Sequence, residues 1–205
     1  VIVVNKDDMY SKYFMNKNNI TIGFGDCDFK ALSYTENSAG MDITFTYENT
    51  SFVAHTNLKS RFNVYNYLTC LAICKSLSFK ISDLLNASLS IYPPHGRCES
   101  IKLRKGQAIV DYAHTPDAVS KIIDAFLENK TGKIITIVGC GGDRDPMKRP
   151  IMGDIATKKS DYVIFTNDNP RTEDPETIMK DILNGVESNN YCVIYDRKEA
   201  ILKGL

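Results

Sequence analysis

Ile135-Thr136-Ile137-Val138-Gly139-Cys140-Gly141-Gly142-Asp143-Arg144-Asp145 runs from four apolar or β-branched residues straight into a glycine-rich, charged loop. A short unbroken apolar run of this kind suits a strand buried on both faces, as in a parallel sheet. The neighbouring segments repeat the theme. Residues 108–112, 133–139, 162–166 and 192–195 read as strands, and 116–127, 151–158 and 175–186 as helices, with a last helix starting near Arg197. Regular alternation of strand and helix places this half of the chain in the α/β class, with a doubly wound parallel sheet. In such sheets ligands bind beyond the carboxyl ends of the strands. The glycine loop is therefore the first place to look for chemistry.

The preceding half has a different rhythm. Residues 1–4 read as a strand followed by Asn5-Lys6-Asp7-Asp8, a helix N-cap signal. Residues 20–24 form a second strand. From Phe29 to Thr56 apolar and polar residues alternate, and the runs 43–47 and 52–56 flank a polar Glu48-Asn49-Thr50 turn, a hairpin at an antiparallel edge. A helix is expected over 63–77, and another, capped by Ser82, through about Leu89. Ile91-Tyr92-Pro93-Pro94-His95-Gly96 then breaks the chain. Two domains are expected, 1–94 and 95–205.

The 205 residues carry 25 basic and 25 acidic side chains. That balance argues against a general nucleic-acid or acidic-membrane binder. No apolar stretch approaches the roughly 20 residues needed to span a bilayer, and no secretory signal is visible. The six cysteines contain no CxxC and no Cys/His spacing that fits zinc. Buried free thiols in a reducing cytoplasm are expected. The chain opens on Val1 and stops at Leu205 within a helix-like pattern, so it reads as an internal piece of a longer protein.

Three loops follow successive strands. The glycine loop is neither a P-loop nor a GxGxxG fingerprint. Its Arg144 suits bidentate capture of a carboxylate or phosphate, or an ion pair with Asp143 or Asp145. Asp168-Asn169-Pro170-Arg171 is a second arginine-bearing turn, with Thr172 placed to cap the next helix. Arginines at adjacent strand ends suggest an anionic ligand with more than one carboxylate. Asp111-Tyr112-Ala113-His114 sets a carboxylate where ribose hydroxyls are commonly held, with a histidine beyond it; a capping Asp and a half-buried His fit equally. Asn63 and Asn66 share a helix face; they suit reading a nucleobase edge, or Asn63 is an N-cap. Arg97 and Glu99 follow the proline boundary. His55 and His95 show no partner, and His55 is taken as structural.

These segments together resemble the Mur ligase family. Val110 to Ala118 (VDYAHTPDA) is similar to its DYAHTPDA motif, and Gly139 to Asp145 followed by Lys148-Arg149-Pro150-Ile151-Met152-Gly153 to its GCGGDRDxxKRPxMG. Asp168 to Glu173 (DNPRTE), Phe62 to Asn66 (FNVYN) and Gly96 to Glu99 (GRCE) are similar to its DNPRTE, FNxxN and GRxE motifs. Ser60 stands where the family often has glycine, and Cys98 replaces a commoner apolar residue. The resemblance implies the end of a central ATP-binding domain with a mixed sheet and helices, followed by a Rossmann-like C-terminal domain. It implies an ATP- and Mg2+-dependent ligase of peptidoglycan synthesis. Such an enzyme joins meso-diaminopimelate to UDP-N-acetylmuramoyl-L-alanyl-D-glutamate through an acyl phosphate. By motif, Arg144, Asp168, Asn169, Pro170 and Arg171 would bind diaminopimelate, with Arg171 as discriminator. Asn63, Asn66, Arg97, Asp111 and His114 would bind ATP. The family's P-loop, modified lysine and magnesium ligands would precede residue 1, and its GKGHE segment would follow residue 205. Residues 1–205 alone are then expected to be inactive. A relative adding lysine or another amine, and a noncatalytic binding module, are the competing readings.

Overall fold

A computed structural model describes residues 1–37, 39–127 and 130–205. The chain divides into two compact units, Val1–Pro94 and His95–Leu205.

The first unit is built on a five-stranded mixed sheet: β1 (Ile2–Asn5), β2 (Asn19–Gly23), β3 (Phe29–Glu36), β4 (Met41–Tyr47) and β5 (Thr50–Thr56), side by side in that order. β1, β2 and β3 run parallel, while β3–β4 and β4–β5 are antiparallel. The expected hairpin is β4–β5. Tyr47 pairs with Thr50, leaving a two-residue turn in which Glu48 (φ 48) and Asn49 (φ 61) are both left-handed. That geometry matches the twist of the strands it joins. The alternation over 29–56 resolves into three strands; Ser38 lies outside the described residues. Ile22, Phe29, Ile43 and Phe45 are fully buried. They pack against Val64, Tyr67, Leu68 and Leu71 of α1 (Arg61–Ser76). α2 (Ile81–Ser88) joins this core, tied to α1 by the Tyr67 hydroxyl at 2.5 Å from Ser88 Oγ.

Several local elements differ from what the sequence predicts. Asn5-Lys6-Asp7-Asp8 starts no α-helix; a turn and a short 3-10 segment at Ser11–Tyr13 follow instead. The Asp7 carboxylate, which would have capped a helix, accepts from the Phe24 and Gly25 amides (2.7 and 3.2 Å) and the Tyr65 hydroxyl (3.0 Å). Long-range partners thus outcompeted a local cap. Ser82 does not cap α2, whose N-cap is Lys80 with no side-chain bond. His55 has a partner after all: it faces Asp42 across β4–β5, with Nδ1 2.7 Å from Oδ1. His95 lies 3.0 Å from Glu99. Neither pair was visible before the strand register and the turn were known.

In the second unit, β8 (Ile135–Val138), β9 (Tyr162–Phe165) and β10 (Tyr191–Val193) form a parallel sheet. Helices cover both faces. Val163 and Phe165 are buried with Met152 and Ala156 of α4 (Lys148–Lys159) and Ile178, Met179 and Ile182 of α5 (Pro175–Leu183). α3 (Pro116–Leu127) adds Val119 and Ile123 to this layer. Ile137 and Ile164 point the other way, against Gly204 of α6 (Arg197–Gly204). The central strand β9 is therefore buried on both sides, which is why it lacks alternation, while its neighbours β8 and β10 are only partly covered. One strand departs from the expected parallel set. β7 (Gln107–Val110) pairs antiparallel with β6 (Glu99–Lys102), a strand the sequence reading missed. These two form a separate hairpin turned by Gly106 (φ 87).

Candidate functional site

The glycine loop after β8 and the 167–174 loop after β9 are joined along their length. Gly142 donates its amide to the Asn169 carbonyl at 2.9 Å. A β-carbon on Gly142 would overlap the Pro170 carbonyl, so this position accepts only glycine without a shift of backbone. Arg171, in the left-handed region (φ 52), donates its own amide to Asn169 Oδ1 at 3.1 Å. Its Nη1 donates to the Gly142 carbonyl at 2.6 Å. Arg144 Nη1 donates to the next carbonyl, that of Asp143, at 3.0 Å. Both guanidinium groups are thus tethered to adjacent residues of one loop, and both side chains are exposed.

The nearby acids have other hydrogen-bond partners, although both guanidinium groups are close enough to Asp143 to favour its charge. The Asp143 carboxylate accepts from Thr172 Oγ1 (2.7 Å) and N (3.2 Å), bonds that hold its pKa below the usual range. Asp145 Oδ1 takes the Met147 amide at 2.9 Å. The alternative of an Arg144 ion pair with Asp143 or Asp145 is not realised, and among the described residues Arg144 and Arg171 form no salt bridge. Thr172 does not cap α5. Asp174 does, accepting from the Glu176 and Thr177 amides, because Thr172 is engaged by Asp143. The Asp168 carboxylate lies beside Gly141 on the same cradle.

The loop after β7 is fixed by its own groups. Asp111 accepts from the amides of Cys98 and Ala113, each at 2.8 Å. Each carboxylate oxygen keeps a lone pair for a further donor. His114 Nδ1 lies 3.0 Å from the Tyr112 carbonyl; a carbonyl only accepts, so Nδ1 carries the hydrogen and Nε2 is left outward. Arg97 stacks on the Tyr112 ring at 4.4 Å, and His114 meets the same ring edge-on at 5.0 Å. From α4, Lys148 donates to the His114 carbonyl at 2.7 Å. In the first unit, Asn63 is not the N-cap of α1. Ser60 is, and Asn63 donates back to the Lys59 carbonyl at 2.7 Å. Its Oδ1 accepts from Asn66 at 3.0 Å.

Two features escaped the sequence reading. Tyr112 is the platform under Arg97. Arg149 is 1% exposed and holds Glu173 and Asp181, both at 2.8 Å. One signal for Arg149 was present: Lys148 and Arg149 open α4 without an acidic residue in its first turn, against the helix dipole. Of the six free thiols only Cys98 and Cys140 are buried, and Cys70 is exposed, since α1 turns only one face to the sheet. Burial pushes Cys140 up to about 11. Among the described residues no group of three or more His, Cys, Asp or Glu side chains could hold a metal. No described helix is long and apolar enough to cross a membrane.

Residues 96–205 match the family description "Mur ligase, glutamate ligase domain", and residues 1–74 match "Mur ligase middle domain". Two UDP-N-acetylmuramoyl-L-alanyl-D-glutamate–2,6-diaminopimelate ligases are similar to the chain. That of Clostridium botulinum is 38% identical over 99% of the chain, and one from Clostridium acetobutylicum is 39% identical over 99%. The chain spans 44% of the length of each. A solved structure of a ligase of the same name superposes with a TM-score of 0.62 at 30% identity, over 97% of this chain and 43% of that one. MurF from Acinetobacter baumannii shares the fold, with a TM-score of 0.74 at 14% identity over 98% of this chain and 44% of its own. With both of its units matched in order, the chain belongs to the Mur ligase family.

Proposed function

We propose that the chain is the nucleotide-side and amino-acid-side portion of an ATP-dependent amide ligase. That enzyme adds meso-diaminopimelate to UDP-N-acetylmuramoyl-L-alanyl-D-glutamate in peptidoglycan synthesis. Residues 1–94 are the end of its ATP-binding domain and 95–205 its Rossmann-like C-terminal domain. The observation that carries the reading is the pair of arginines anchored on the adjacent carbonyls of Gly142 and Asp143, neither forming a salt bridge among the described residues. A diamino dicarboxylic acid offers a second carboxylate that lysine lacks.

Arg144 and Arg171, with Asp168, Asn169 and Pro170 shaping the cradle, would orient that acid so that its free amine faces the activated carboxyl group. Charge-assisted bonds fix both position and identity. Arg97, Asp111 and His114 of the second unit would contact ATP. ATP supplies the phosphoryl group that makes the carboxylate a good acyl donor. Asp111 fits a ribose because its oxygens are oriented yet unsaturated, and Arg97 fits a phosphate because Tyr112 steadies it. The described residues do not fit Mg2+, since they contain no cluster of three or more metal-ligating side chains. The UDP-linked substrate and six unpaired cysteines suit a reducing cytoplasm.

The test uses the full-length enzyme. Amide formation is measured with meso-diaminopimelate and with L-lysine as acceptors. Strong preference for diaminopimelate is expected; equal use of lysine overturns the reading.

A further inference from the structure

We propose that Arg149 is a positioning residue: from inside the second unit it sets the relation between the two loops that carry Arg144 and Arg171. The proposal rests on the reading that those loops hold the amino-acid substrate.

A guanidinium buried to 1% exposure is costly unless its donors are satisfied. The two Nη atoms of Arg149 are satisfied by groups from three separate segments. Nη1 donates to Asp181 of α5 at 2.8 Å. Nη2 donates to Glu173 of the 167–174 loop at 2.8 Å and, more weakly, to the Gly141 carbonyl of the glycine loop at 3.4 Å. Glu173 extends the chain of contacts by accepting the Asp143 amide through the same Oε1. One side chain therefore reads the spacing of both loops against the helix behind them.

The arrangement is not what stability alone would select. Arg149 Nε is buried with no hydrogen-bond partner, and an apolar side chain of similar volume is often as stabilising as a buried ion pair. The helix end it occupies also disfavours a cation. What a planar fork provides, and an apolar group does not, is fixed angles between its partners.

There is an electrostatic consequence. Glu173 and Asp143 are acids close to the substrate-facing arginines. Glu173 is committed to Arg149 and to the Asp143 amide, and the Asp143 carboxylate to Thr172. Neither acid forms a salt bridge with Arg144 or Arg171, whose remaining N–H donors face no described carboxylate at bonding distance.

The test compares Arg149→Lys and Glu173→Gln in the full-length enzyme with Arg171→Ala as a reference. It measures the KM for meso-diaminopimelate, the KM for ATP, kcat and the thermal midpoint. A misplaced cradle should raise the KM for diaminopimelate by about 10- to 100-fold, with the KM for ATP within about two-fold of wild type. If Arg149→Lys does not fold, Glu173→Gln decides, since its side chain is partly exposed and the change keeps its volume. If both variants lose only thermal stability and keep the diaminopimelate KM while Arg171→Ala raises it, the positioning role is overturned and the reading of the site stands. If Arg171→Ala itself leaves that KM unchanged, the reading of the site falls, and the positioning role with it.

Discussion

Arg171 Nη1 and the Gly142 carbonyl meet at 2.6 Å, a bond that folds the arginine side chain back across the glycine loop. The contact is possible because the Gly142 backbone lies directly against Pro170. A side chain there must push the two loops apart. Gly142→Ala is expected to cost about 1–3 kcal/mol by overpacking and to depress diaminopimelate use in the full-length enzyme more than ATP affinity. Urea denaturation and separate KM measurements check both parts.

Ser60 is a second backbone constraint, in the first unit. Its φ of 75 and ψ of 143 lie near a region that is almost exclusively glycine. It is 1% exposed, and its amide donates to Glu36 at 2.8 Å. Ser60→Gly should relieve strain and raise stability by about 1 kcal/mol. Ser60→Ala keeps the β-carbon and should bring no gain. Chemical denaturation of the three proteins side by side tests this.

Acid should loosen the cradle. Bonds from Arg149 and the Asp143 amide hold Glu173 below its ordinary 4.5, and bonds from Thr172 hold Asp143 below 3.8. A carboxylate whose pKa is depressed on folding contributes stability that is complete above its unfolded value and lost as pH falls through the folded one. The structure is therefore expected to keep full stability from neutrality down to about pH 5 and to lose it progressively below. Glu173→Gln should flatten that slope. Thermal midpoints between pH 7 and 3 give the comparison; parallel slopes for the two proteins would refute it.

Thiol labelling reports the packing. Cys140 lies 3.8 Å from Met152 sulfur inside the second core, and its thiol is pushed up to about 11 by burial. Cys70 is exposed on α1. Alkylation at pH 8 should reach Cys70 in the folded protein while sparing Cys140 and Cys98. All six should react after denaturation, as mass spectrometry of labelled peptides would show.

The sequence made the parallel strands legible because burial on both faces leaves an unbroken apolar run, as at 163–165. It made the β4–β5 hairpin legible because two runs of β-branched and aromatic residues flank the polar Glu48-Asn49-Thr50 stretch. It also placed Arg144 and Arg171 on adjacent loops, since strand order in an α/β unit follows chain order. It did not reveal β6, whose four residues are largely exposed and carry little pattern. It misread Asp7, Ser82 and Thr172 as local caps because cap signals are short-range, while Asp7 and Thr172 find partners 17 and 29 residues away. Arg149 stayed hidden for the same reason: its acids, Glu173 and Asp181, lie on elements that only the fold brings beneath α4.

The most direct measurement is the ratio of kcat/KM for meso-diaminopimelate to that for L-lysine in the full-length enzyme, before and after Arg171→Ala. Losing a charged hydrogen-bond donor should lower kcat/KM for diaminopimelate by about 10- to 100-fold. The value for lysine, which has no second carboxylate to lose, should scarcely change, so the ratio collapses. An undiminished ratio in the variant would contradict the account.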